Sequence, residues 1–228
     1  MTVLSQSVED YLKTIYSLAR SRESVQTGAL AEALAVAPAS VSGMVRRLAD
    51  AGLVERAAYR GVRLTDRGRR AALRVLRRHR ILETYLAQEL GWDWDIVHEE
   101  AERLEHAASD KLIERMAETL DNPKYDPHGA PIPTVDGEME QQELVPMTEV
   151  AVGTLGEVRL VSDDDPNRLR YIASLGFRVG MRFEVLEATP FRGPVTIRRV
   201  DAGARPQVIG FGLAQSLLAL PFGQEVKV

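Results

Sequence analysis

The sequence predicts a mostly α-helical chain that ends in a small β domain. Two observations carry this. Up to about residue 120, apolar residues recur at three- and four-residue intervals. From Thr148 onward, short runs such as EVRLV, MRFEVLE, VTIRRV and QVIGF alternate with Gly and Pro, the pattern of a small β-barrel. Charge supplies a third observation. Residues 1–80 hold 15 Lys and Arg against 7 Asp and Glu, a balance of +8; residues 81–160 hold 5 against 19, or −14; residues 161–228 hold 9 against 7, or +2. A basic first third suits a polyanionic partner and an acidic middle suits cations. The 228 residues suffice for several small domains, and three are expected, over 1–72, 73–140 and 148–228. No apolar run approaches membrane-spanning length, MTVLSQSVEDYL lacks a signal-peptide pattern, and zero cysteines exclude disulfides and thiolate metal sites. A cytoplasmic chain with no membrane partner is expected.

At the N-terminus, Ser7-Val8-Glu9-Asp10 has the form of a capping box, opening a helix with Val8, Leu12, Ile15 and Leu18 at helical spacing. Thr27 is expected to cap a short helix through GALAEALA. Pro38 in a first turn, the stripe Val41, Met44, Val45 and Leu48, and Gly52 as a stop define the next helix. Two helices so closely joined match a helix-turn-helix. Strand-like runs around Leu53–Arg56 and Val62–Thr65, turned by Tyr59-Arg60-Gly61, add a wing. In such a module the second helix enters the major groove of double-stranded DNA. Its exposed candidates are Ala39, Ser40, Ser42, Gly43, Arg46 and Arg47, with Arg60 at the wing tip and Thr27 as a phosphate donor. Few of these offer bidentate base readout, so apolar contacts and DNA shape should carry specificity. Such modules also serve as protein–protein platforms; the basic balance favours DNA.

Thr65-Asp66 is expected to start a long helix to about Leu90, with the arginine-rich Gly68–Arg80 as its solvated face. GWDWD ends it, and another helix should run from about Asp95 to Leu120. On a wheel of about 100° per residue with His98 at zero, Glu102 falls at about 40°, Glu105 at about −20° and His106 at about 80°. Val97, Ala101, Leu104 and Ala108 gather on the adjoining apolar arc, so the polar four border the buried face. His79 and Glu83 form an i, i+4 pair on the preceding helix, and a short loop packs the two helices antiparallel, facing that pair towards His98. These are donors for hard or borderline divalent metals. A Glu- and His-rich helix is also an ordinary solvated face; the second His/Glu pair tips the reading towards metal.

Taken in order, VEDYLKTIYSL (8–18), the helix-turn-helix and wing (27–65), RHRILETYL (78–86), VHEEAERLEHAASD (97–110), DPHGAPIP (126–133) and the C-terminal runs resemble the diphtheria toxin repressor family. Its members are iron- and manganese-dependent transcriptional regulators. The resemblance, to the family's long form, implies a winged helix-turn-helix, a helical metal-binding and dimerisation domain and an SH3-like domain. It implies a regulatory metal position of Asp10, Glu102, Glu105 and His106. It also implies an ancillary position of His79, Glu83 and His98, completed by one of Asp163, Asp164 and Asp165, with Asp165 preferred. Iron-selective members place sulfur residues where Asp10 and Glu102 stand, whereas manganese-responsive members place carboxylates. An all-oxygen and nitrogen donor set suits Mn(II), and Fe(II) is the alternative. Lys13 stands where the short manganese regulators have a glutamate, Arg168 where some members add a glutamine, and Gly43 where the toxin repressor has a polar base-contacting residue. The function implied is a metal-activated repressor binding a palindromic operator as a homodimer.

Two other classes compete: a metal-independent winged-helix regulator and a di-metal carboxylate enzyme. The enzyme requires Glu-x-x-His on each of two helices, which the chain lacks, as it lacks HExxH, P-loop and nucleophile-elbow patterns; no catalytic residue is expected. PKYDPHGAPIPTVDG reads as a linker, with His128 a linker residue rather than a ligand. RLRYIASLGF reads as a short helix, and the barrel as a packing or dimer-stabilising module.

Overall fold

Helical spacing in the first part of the chain is realised as α1 (Gln6–Ala19), α2 (Thr27–Ala33), α3 (Pro38–Asp50) and α4 (Asp66–Gln88), with a hairpin of β1 (Val54–Ala57) and β2 (Gly61–Leu64) before α4. The computed structural model describes residues 4–19, 24–57, 61–162, 165–200 and 205–222. There follow α5 (Val97–Leu104), α6 (Asp110–Thr119), β3 (Val145–Pro146), β4 (Leu155–Val161), α7 (Pro166–Ser174), β5 (Arg182–Ala188), β6 (Val195–Arg199), β7 (Gln207–Ile209), α8 (Phe211–Ser216) and β8 (Leu217–Phe222). The chain forms two compact units. One comprises Met1–His79, Glu102–Arg115 and Ile132–Met139; the other comprises Arg80–Ala101, Met116–Pro131 and Glu140–Val228.

In the first unit Leu12, Ile15, Leu30, Val41, Val45 and Leu48 are fully buried and join α1, α2 and α3 in one core with Val25 and Val62. Each such aliphatic side chain contributes roughly 1.5–3 kcal/mol on burial. β1 and β2 pair antiparallel, and Val62 also bridges Val25. Gly61 permits this: its φ is +93°, and an added Cβ would run into the Val25 carbonyl. The turn residues Tyr59 and Arg60 lie outside the described residues.

Several local expectations are corrected. The first turn of α1 closes on the Ser5 carbonyl (Val8 N 2.9 Å, Glu9 N 3.1 Å), so Ser7 lies inside the helix instead of capping it. Thr27 is likewise the first residue of α2, and the preceding Gln26 makes no side-chain cap. Thr65 does cap α4, its Oγ1 accepting from Gly68 N at 3.0 Å. The helix expected from Asp95 to Leu120 is two helices. Ala107 N and Ala108 N both return to the Leu104 carbonyl, and Ser109 Oγ accepts from Leu112 N at 3.3 Å to begin α6. Ser109-Asp110 is a helix-start signal, and it outcompetes continuation of α5. The wheel fails at Leu104, expected on the apolar arc but 37% exposed, whereas Glu105, expected at the border of the buried face, is fully buried.

The arginine-rich part of α4 is not simply a solvated face. Arg77 bonds Glu114 through Nε (3.0 Å) and Nη2 (2.7 Å), Arg78 bridges Glu9 and Asp110, and Arg74 also joins Asp110.

The second unit is built on an antiparallel sheet in the order β3-β8-β4-β5-β6-β7. Val158, Phe183, Val185, Ile197 and Ala219 bury one face together with Leu169 and Ile172 of α7. The segment expected to be a linker is packed at DPHGA. Asp126 Oδ1 accepts from His128 N and Ala130 N, both at 2.9 Å, and Arg80 reaches the Pro131 carbonyl. His128 is buried, its Nε2 2.8 Å from the Trp94 carbonyl and its ring stacked on Trp94. Asp126 and Glu83 lie near enough to form a metal-type group with it. Burial is the main cause that raises the Asp126 pKa, with Glu83 adding to it against Arg80 and His128.

Candidate metal centre

Three pieces of the first unit converge on one cluster: α1 supplies Glu9, Asp10 and Lys13, α4 supplies Arg78 and His79, and α5 with the turn after it supplies Glu102, Glu105 and His106. Glu105 sits at the middle and is fully buried. Its Oε1 lies 2.6 Å from Lys13 Nζ and 3.3 Å from His106 Nε2, and its Oε2 lies 2.6 Å from His79 Nδ1. Glu102 Oε1 is 2.6 Å from the same lysine. Glu105, in the turn after α5, follows the fully buried Ala101 by four residues and so lies on the same inward side.

His106 tests whether the donors fit a cation. Its Nδ1 lies 2.7 Å from Glu9 Oε2, which only accepts, so the ring proton is assigned to Nδ1 and Nε2 is left with a lone pair. That lone pair faces oxygens that also only accept. Asp10 Oδ1 is 2.8 Å away and Glu105 Oε1 3.3 Å, yet Nε2 is buried and makes no hydrogen bond. A divalent cation among Asp10, Glu105 and His106 would satisfy all three, and a metal-bound histidine typically donates its other N–H to a carboxylate, as His106 does to Glu9. The donors fit.

The Asp10 pKa is raised, first by burial, against the pull of the Lys13 ammonium. For Glu105 burial pushes upward, but His79 and Lys13 together win and lower it. Lys13 is raised, its burial outweighed by Glu105 and Glu102.

Asp10, Glu102, Glu105 and His106 are thus brought together. His79, grouped with Glu83 and His98 from the sequence, here contacts Glu105. Glu83 and His98 pair in the second unit at 3.0 Å. Asp165 caps α7, accepting from Asn167 N at 2.8 Å, and Asp163 and Asp164 lie outside the described residues. Glu9 and Arg78 were missed by sequence reasoning; only the arginine-rich register of α4 hinted at buried carboxylate partners. Thr27, Ala39, Ser40, Ser42, Gly43, Arg46 and Arg47 are all exposed, those of α3 opposite Val41, Val45 and Leu48, while Arg60 lies outside the described residues.

Residues 3–62 match the family described as iron dependent repressor, N-terminal DNA binding domain, and residues 65–134 its metal binding and dimerisation domain; residues 145–219 match the FeoA domain. The diphtheria toxin repressor of Corynebacterium diphtheriae is 32% identical over 197 residues, 82% of this chain and 87% of that protein. The chain belongs to the diphtheria toxin repressor family. Among its other relatives is the iron-dependent repressor IdeR of Mycobacterium leprae, 35% identical over 161 residues, 68% of this chain and 70% of that one. A solved manganese-dependent transcriptional repressor in complex with manganese has a TM-score of 0.88 at 41% identity, covering 94% of this chain and all of its own. The structure of the manganese regulator SloR has a TM-score of 0.76 at 30% identity, covering 97% of this chain and 100% of that one. This is a family of metal-dependent transcriptional repressors, and the chain carries its DNA-binding domain.

Proposed function

We propose that this family member is a repressor activated by Mn(II), binding a palindromic operator as a homodimer in the cytoplasm. The supporting observation is the buried Nε2 lone pair of His106, set among the carboxylate oxygens of Asp10 and Glu105. Asp10, Glu102, Glu105 and His106 would hold the regulatory ion, and His79, Glu83 and His98, with Asp165, are the candidates for an ancillary one.

When bound, the divalent ion supplies the positive charge that three neighbouring carboxylates need in order to stay close. Glu9 keeps the proton on His106 Nδ1 and so keeps Nε2 free to ligate. Asp10 is the ligand on α1, and Leu12 and Ile15 of the same helix pack in the core that holds α3. Fixing Asp10 therefore fixes the recognition helix. In a twofold dimer the two recognition helices must stand about 34 Å apart to read successive turns of DNA. A coupling of about 1–3 kcal/mol changes operator affinity roughly 5–150-fold. Ala39, Ser40, Ser42, Gly43, Arg46, Arg47, Thr27 and Arg60 are the proposed DNA contacts. Fe(II) is the second reading, favoured by relatives whose names specify iron.

Selection of DNA from a random pool by metal-stripped protein, with and without Mn(II), tests the proposal. A palindrome enriched only with Mn(II) is expected, and Glu102→Ala should abolish that dependence while the fold persists. Enrichment without metal, or a metal response that survives in Glu102→Ala, would overturn it.

A further inference from the structure

Lys13 is the feature least expected in a cation site. Its ammonium lies 2.6 Å from both Glu102 Oε1 and Glu105 Oε1, and its side chain is only 14% exposed. Two metal-type triads adjoin there, Asp10/Glu105/His106 and His79/Glu102/Glu105, and they share Glu105. Within each triad the donor atoms lie within 4.8 Å of one another. The ammonium bonds two members of the second triad and leaves the His106 side of the first to another cation.

We infer that Lys13 is a tethered cation filling the second of two adjoining cation positions, so that the centre takes one divalent ion where its donors suffice for two. The inference rests on reading Asp10, Glu102, Glu105 and His106 as the metal centre. Charge balance supports it. One ammonium and one divalent ion match the three carboxylates Asp10, Glu102 and Glu105; a second divalent ion would leave excess positive charge in a largely buried site, which is costly. Glutamate at position 13 would give four carboxylates, matched by two divalent ions. Lys13 also holds oxygens that the first ion needs and repels that ion at close range, so it weakens binding and sets the concentration at which the site fills. An ordinary structural ion pair would affect stability and leave the ion count alone.

The test uses the full chain as native protein, Lys13→Glu, Lys13→Met and His106→Ala, each first shown to be folded by circular dichroism. Bound Mn(II) per chain is counted by equilibrium dialysis with elemental analysis, and electron paramagnetic resonance reads the pairing of ions. Lys13→Glu is expected to bind one more Mn(II) than native and to show the coupled spectrum of two ions sharing a carboxylate. Lys13→Met should bind its ion about tenfold tighter or more, the repulsion being gone. His106→Ala should bind one ion fewer. A native count with an uncoupled spectrum in Lys13→Glu, or native or weaker affinity in Lys13→Met, overturns the role of Lys13 alone. A native count in His106→Ala overturns the centre itself and the inference with it.

Discussion

In the proposed metal centre Glu9 acts through His106, whose ring it orients, while Arg78 holds Glu9 in turn at 3.3 Å. Removing such an orienting carboxylate typically costs 10–100-fold in metal affinity. Glu9→Ala should therefore weaken Mn(II) binding by about 10–100-fold with the helices intact, measured by isothermal titration. Native affinity in that variant would mean that packing alone holds the imidazole. Glu105 has a different dependence. Its pKa lies below the ordinary 4.5 because His79 and Lys13 outweigh the opposing effect of burial. A depressed carboxyl pKa stabilises the fold above the ordinary value, and that contribution is lost as pH falls through the folded value. In metal-free protein, Glu105→Gln should cost about 1–3 kcal/mol at neutral pH, because Lys13 then keeps only Glu102 as counter-charge. The difference from native should shrink as the solution is made more acidic than 4.5. Urea unfolding at both acidities measures it, and a constant difference would point to packing instead.

Elements differ in how much the sequence reveals of them. For α3 the Pro38 start, the Val41/Val45/Leu48 stripe and the Gly52 stop are local signals, and all three appear in the fold. The break after α5 is local too, but Ser109-Asp110 sits within a helical period that continues on both sides, so periodicity conceals it. The partnership of Glu9 with His106 spans 97 residues, and no local pattern encodes it. The strand β8 was hidden because LALPF is short and follows directly on α8. Gly43 in α3 offers a test at this scale. An added Cβ there meets nothing within 4 Å. Gly43→Ala should thus stabilise the free protein by about 0.5–1 kcal/mol through helix propensity. It should also change operator affinity if the bare backbone approaches the bases. A lower melting temperature would show that α3 needs the glycine for another reason.

The molecule as a whole separates its charges, and the separation assigns different partners to its parts. A basic first third is expected to bind DNA with strong salt dependence. For roughly 6–10 phosphate contacts, affinity should fall about 10³–10⁵-fold between roughly 50 and 200 mM salt. Fluorescence anisotropy with operator DNA and saturating Mn(II) measures the slope, and a flat response would remove phosphate contacts from the account. The same separation along the chain has a consequence for biosynthesis. Every buried residue of the first core lies at or before Leu76, whereas Glu102, Glu105 and His106 come later. Domains fold as units while the ribosome is still extending the chain. The recognition helix therefore has its core before its switch has been made, and Lys13 waits for a partner 89 residues downstream. Under the proposed function, a chain that stops short of Glu102, through stalling or proteolysis, would carry the recognition helix without the regulatory ligands.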